Sequence, residues 1–145
     1  MLHHLIYLSR ATQPFSDADL LALLDQARRH NASQDLTGIL VYGSGQFLQV
    51  LEGDETAVRI LYEHIRQDPR HRDATTFADK HIPQRAFADW RMAFQPLTPE
   101  QFQQVVGYLP AASLAATQPG LSATDNQLMQ TLRSFVLPAS SPAAD

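Results

Sequence analysis

The stretch TGILVYGSGQFLQVLEG, Thr37 to Gly53, constrains this chain more than any other. It reads as two apolar strands, Gly38–Tyr42 and Gln46–Leu51, joined by a Gly43-Ser44-Gly45 turn, and so as an antiparallel hairpin that the rest of a sheet must extend. Side chains alternate along a strand, which puts Phe47, Gln49 and Leu51 on one face and Leu48, Val50 and Glu52 on the other. Gln49 therefore shares an apolar face with a Phe and a Leu. A buried primary amide needs partners for two N–H groups and an oxygen, so something else on that face must be polar.

The flanking segments supply it. Leu2–Ser9 reads as a strand with Leu5, Tyr7 and Ser9 on one face and Ile6 and Leu8 on the other. Ser16 followed by Asp19 starts a helix expected over Asp17–Asn31, whose stripe of Leu20, Leu24 and Ala27 runs on into Asn31. Asp54 caps a second helix, Glu55–Gln67, with an inner stripe of Val58, Leu61 and Ile65, and Pro69 ends it. Thr75–Ile82 reads as a weaker strand and Pro83–Asp89 as a turn region. Asp89–Gln95 reads as a strand placing Trp90, Met92 and Phe94 on one face.

This β-α-β-β-α-β-β order implies an α+β fold, a ferredoxin-like sandwich with one added strand. The first and third strands are expected as parallel central neighbours, with both helices above them and Tyr7 beside Gln49. Beyond Pro96, Thr98-Pro99-Glu100-Gln101 starts a helix with Phe102, Val105, Val106 and Leu109 on its apolar side. After a linker-like break, Ser122 and Asp125 open a last helix carrying Leu128, Leu132, Phe135 and Val136. Neither helix is stable alone, so both are expected to pack on the other sheet face. The divisions are then 1–97 for the sandwich, 98–137 for a helical cap and 138–145 for a disordered tail.

Composition narrows the function. A net charge of −4 with 44% hydrophobic and 18% charged residues describes an ordinary globular chain without a basic footprint for nucleic acid or anionic membrane. No window reaches the roughly 18 apolar residues of a membrane span, and a cytoplasmic location is expected. Without cysteine there is neither a disulfide nor a thiolate centre. The histidines lack metal-ligand spacing, since the adjacent His3 and His4 face opposite ways on a strand, and no metal is expected. Tyr7, Asn31 and Gln49 do converge between the helices and the central strands. Singly, each reads as a core polar group satisfied by a neighbour; together, they suit a flat heterocycle bearing carbonyl and N–H groups.

The segments LIYLSR, HN, LTGILVYGSGQFLQVLEG, QDPRH and FADWRMAF resemble, in order and spacing, the signature segments of BLUF domains, blue-light sensors using FAD, over about Leu2 to Leu97. The resemblance implies the sandwich reached above and an FAD cofactor, with FMN or riboflavin as alternatives. It implies that Tyr7 donates an electron and then a proton to the excited flavin. Gln49 would lie between that phenol and the flavin N5/O4 edge and change its hydrogen bonding in light. Asn31 would hold O4 and N3, and Trp90 and Met92 would sit near Gln49. His30, Asp68, Arg70 and His71 would line the ring or its tail, as would His64, which stands where some relatives carry arginine.

A sensor, not an enzyme, is therefore expected. The chain leaves no room for an effector after Leu97, so output is expected through a separate partner protein or a homo-oligomer. Three other readings compete. An acylphosphatase-type enzyme needs a phosphate-cradling loop that RATQPF lacks. A light-independent interaction module leaves the inward polar trio unexplained. A flavin-dependent redox enzyme would bleach with a nicotinamide donor.

Overall fold

Residues 1–110 and 117–136 are described in the computed structural model, and the tail expected at 138–145 lies outside them. The hairpin forms as read: β2 (Thr37–Gly43) and β3 (Gln46–Asp54) meet in a two-residue turn in which Ser44 and Gly45 have φ of 52° and 72°. Two successive left-handed residues make the type I′ turn whose twist matches that of the strands. Register is pinned at Gly38, where a Cβ would lie 1.9 Å from the Val50 carbonyl oxygen. No larger residue fits there.

With β1 (Leu2–Ala11), β4 (His71–His81) and β5 (Ala93–Pro96), the sheet has the order β4-β1-β3-β2-β5. β1 pairs with β3 antiparallel, Tyr7 opposite Gln49, and not parallel as the sequence reading has it. The crossover through α1 (Asp17–Gln34) makes β1 and β2 run the same way, and β3, the hairpin partner of β2, enters between them in the opposite sense. Position and pairing survive this correction; strand direction does not.

α1 and α2 (Glu55–Gln67) cover one face, packing Leu20, Leu24, Val58 and Tyr62 on Leu5, Tyr7, Phe47 and Leu51. α1 opens with the Ser16–Asp19 capping box and runs three residues past the expected end, to a left-handed Asp35. The other face carries Ile6, Val41, Leu48 and Val50 under α3 (Pro99–Val106) and α4 (Ala123–Val136), which contribute Phe102, Val105, Leu128 and Leu132. Two layers of helix thus sandwich one sheet, as the bare face required.

The strand expected over Asp89–Gln95 is shorter and later. Gly38 N–H donates to the Trp90 carbonyl, Trp90 N–H donates to Phe87, and the Asn31 and Arg28 side chains take the carbonyls of Arg91 and Met92. Those groups are committed elsewhere, so the ladder with β2 begins only at Ala93. Without extended backbone the alternation fails: Trp90 joins the core under α3 and α4, while Met92 lies in the core beneath α1 and α2. β4 likewise begins at His71 rather than Thr75.

Two buried polar clusters tie the layers. The Glu52 carboxylate, fully buried, accepts from Thr37 Oγ1 and from the N–H groups of Ala86 and Phe87, fixing the 83–89 turn to β3. Lys80 on β4 pairs with Asp125 at the start of α4, both out of water. His4, opposite Lys80 in the β1–β4 register, is fully buried with neither ring nitrogen hydrogen-bonded.

Burial and then the Lys80 charge lower the His4 pKa from 6.5 to about 4. The unfolded chain binds this proton more readily, so the stability held above pH 6.5 is lost as pH falls toward 4. The linkage amounts to about 3 kcal/mol over that window. His71, also lowered by burial, acts in the same direction. His4→Leu is therefore expected to flatten, without abolishing, the acid loss of stability in urea melts between neutral and mildly acidic pH. An unchanged slope would remove His4 from the account.

Candidate functional site

A cleft opens between α1 and α2 above β1 and β3, with about 760 Å³ of space counting its mouth. Its walls follow from helix periodicity. Leu23 and Ala27 of α1 and Leu61 and Ile65 of α2, expected in part on the inner stripes, lie at the edge of the core as partly buried residues and line the gap. Tyr7, Leu40 and Gln49 line it from the sheet. The mouth is polar, with Gln26, His30, His64, Asp68, Arg70 and His71. An apolar slot with a few converging polar groups fits a planar ligand carrying a polar tail.

At the inner end, Tyr7 Oη donates to Gln49 Oε1, and Gln49 Nε2 lies 3.5 Å from Met92 Sδ. All three side chains are buried. Burial, with the neighbouring Tyr62 and Asp68 adding to it, pushes the Tyr7 pKa above the ordinary phenol range, so the hydroxyl remains a donor. A thioether is a weak acceptor, which leaves the Gln49 N–H groups poorly satisfied beside the cleft.

Asn31 reaches in from α1, its Nδ2 donating to the Arg91 carbonyl at 2.6 Å, while its Oδ1 is buried without a partner. An orphaned acceptor and an under-used amide donor lining one apolar cleft match the alternating carbonyl and N–H edge of a flavin ring. The residues present fit that cofactor. At the mouth, Asp68 is held below the usual carboxylate range first by its bond from Arg70, which grips it at 2.6 Å. His71 Nδ1 meets Ser9 Oγ at 2.9 Å.

The structure therefore brings together Tyr7, His30, Asn31, Gln49, His64, Asp68, Arg70 and His71 around one cleft, with Met92 behind Gln49. Trp90 is not among them. It stacks on Phe87 at 5.8 Å and lies under the Arg133 guanidinium, 4.5 Å from the ring centroid, with its Nε1 unpartnered. Sequence reading missed Tyr62, whose ring stands 5.2 Å from that of Tyr7 and whose hydroxyl bonds Thr76 Oγ1. Its position four residues after Val58 was the available signal.

Comparison with known proteins agrees with this geometry. The family model for sensors of blue-light using FAD, BLUF, matches residues 2–93. Photoactivated adenylate cyclase subunit beta of Euglena gracilis is 45% identical over 89 residues, 61% of this chain but 10% of that protein. The chain thus spans about a tenth of the length of the curated relatives it first matches. The blue light- and temperature-regulated antirepressor BluF of Escherichia coli K12 is 31% identical over 94% of this chain and 33% of its own length. Among solved structures, BlrB, a BLUF protein in its dark state, superposes with a TM-score of 0.70 at 28% identity, covering 92% of this chain and 96% of that one. This chain belongs to the BLUF family, the sensors of blue light using FAD.

Proposed function

We propose that this chain holds a flavin in the α1–α2 cleft and reports blue light through the buried hydrogen bonds of Tyr7, Gln49 and Met92, passing the signal to a separate protein or to another copy of itself. The observation that carries this reading is the chain of contacts from Tyr7 Oη through the Gln49 amide to Met92 Sδ, closed to water and bordering the cleft. When bound, the flavin supplies absorption of blue light and, once excited, a one-electron acceptor.

Tyr7 would serve as the donor, because its phenol lines the cleft and still carries a proton to follow the electron. Gln49 supplies the route for that proton, since an amide offers a donor on one side and an acceptor on the other. Rotation or tautomerism of Gln49 would exchange those two faces and present an N–H to the cleft. Asn31 would hold the ligand through its unpartnered Oδ1 and fixes, through the Arg91 carbonyl, the segment leading to Met92. A net hydrogen bond is worth about 1 kcal/mol, small beside the energy of a blue photon, so the absorption band moves by nanometres without bleaching.

In this reading the chain senses light and catalyses nothing, and works in the cytoplasm. Among the described residues no helix is long and apolar enough to cross a membrane. FAD is the expected ligand, and FMN or riboflavin would satisfy the same inner contacts. The divisions at 97/98 and 137/138 stand with the reading: sandwich as sensor, α3 and α4 as the face that transmits.

An absorption spectrum of the purified protein before, during and after blue illumination tests the whole of it. A yellow protein whose band shifts to the red and relaxes in darkness supports it. A colourless protein points to the light-independent interaction module. Bleaching by a nicotinamide donor with no reversible shift points to a flavin-dependent redox enzyme.

A further inference from the structure

The spacing of histidines excludes a metal motif local in sequence, yet the sheet assembles one from distant segments. His3 on β1 and His81 on β4 are direct cross-strand partners, with ring centroids 5.1 Å apart. Each aims its Nε2 at a carboxylate: His3 at Asp79 and His81 at Glu55, the latter at 2.8 Å. The ligand atoms of His3, Glu55 and His81 all lie within 4.8 Å of one another. None of these residues lines the flavin cleft. On β1 the cluster is four residues from Tyr7, about 13 Å away.

We propose that His3, Glu55 and His81 form a site for a divalent transition ion of the zinc class, with Asp79 as the adjoining carboxylate. Two imidazole nitrogens and a carboxylate are the donor set such ions take, with a fourth position for Asp79 or water. In each pair the proton now shared between nitrogen and oxygen occupies the place a cation would take, so binding replaces two N–H···O contacts by metal–ligand bonds and releases protons. Two carboxylates neutralise a doubly charged ion. They already attract a cation: Arg59 lies 3.0 Å from Glu55 and 3.3 Å from Asp79. Arg59 is half-exposed, so it has room to yield its place. His3 is buried and fixed by the strand, while His81 and Glu55 are about one-third exposed, giving the ion an entry from solvent.

The test uses the flavin-loaded full chain without a polyhistidine tag, dialysed against zinc and measured by metal analysis and calorimetry. Zinc is the probe, because nickel and copper are also taken by an amino terminus with histidine at its third position. One zinc per chain is expected, with affinity falling about tenfold or more in His81→Gln and in Glu55→Gln. Both residues are partly exposed, and retained flavin colour checks that each variant is folded. Arg59→Gln is expected to tighten binding severalfold by removing the competing charge. No saturable uptake by the native chain, or uptake that is as tight in His81→Gln, would overturn the site.

Discussion

Tyr7→Phe is expected to keep its flavin and lose its photocycle. The ring occupies the same volume between Leu5 and Tyr62, so packing of the central strand is preserved. What disappears is the hydroxyl that donates to Gln49 Oε1. That leaves a buried amide oxygen unpaired, at a cost of about 1–3 kcal/mol, which unfolding melts would register. The larger effect is photochemical. A benzene ring is a far poorer one-electron donor than a phenol and has no proton to send after the electron. Without that quenching route, flavin fluorescence should rise severalfold while the reversible red shift disappears, both read on one sample under blue illumination. A Tyr7→Phe protein with normal fluorescence and a full shift would remove the phenol from the mechanism.

Gln49→Leu is the complementary experiment. Leucine fits the apolar neighbours of Gln49, so flavin should remain bound, but the donor-acceptor switch is gone. The light-induced shift is expected to vanish even though Tyr7 still stands beside the chromophore. Tyr7 Oη loses its acceptor in a buried site, with a stability loss of the same size as above. The two variants differ in one measurement: fluorescence stays quenched in Gln49→Leu, because the electron donor is intact, and rises in Tyr7→Phe. If the protein lacking both side chains still shifts fully and reversibly, neither residue is the photoswitch.

The architecture was legible where local rules act without competition. The Ser16 and Thr98 capping boxes, the hairpin turn at 43–45 and the inward Leu20, Leu24, Asn31 and Val58 each obey a single short-range constraint, and each appears as read. The site was legible for the same reason: a polar residue at a core position of a regular strand or helix stands out, and Tyr7, Asn31 and Gln49 all do so. Trp90 was misplaced because alternation holds only for extended backbone. Residues 90–92 spend their carbonyls on Gly38, Asn31 and Arg28 instead of a ladder, a choice made by partners fifty or more residues away. The sense of pairing between β1 and β3 is likewise a property of the crossovers and not of either strand. The His3–His81 pair was invisible for a third reason, since it depends on a register that no local pattern encodes.

The buried Lys80–Asp125 bond gives the C-terminal layer a mechanical character. Oily surfaces attract without direction and let a helix glide. A charge pair shut away from solvent does not, because parting it would strand two ions at a cost of several kcal/mol. It grips α4 near its first turn, and Arg133, eight residues further on and about 12 Å along the axis, lies over the Trp90 ring and donates to the Ala86 carbonyl at 2.9 Å. The helix is accordingly moored at both ends, by ions at residue 125 and by a guanidinium at residue 133 that ties it to the 86–90 segment.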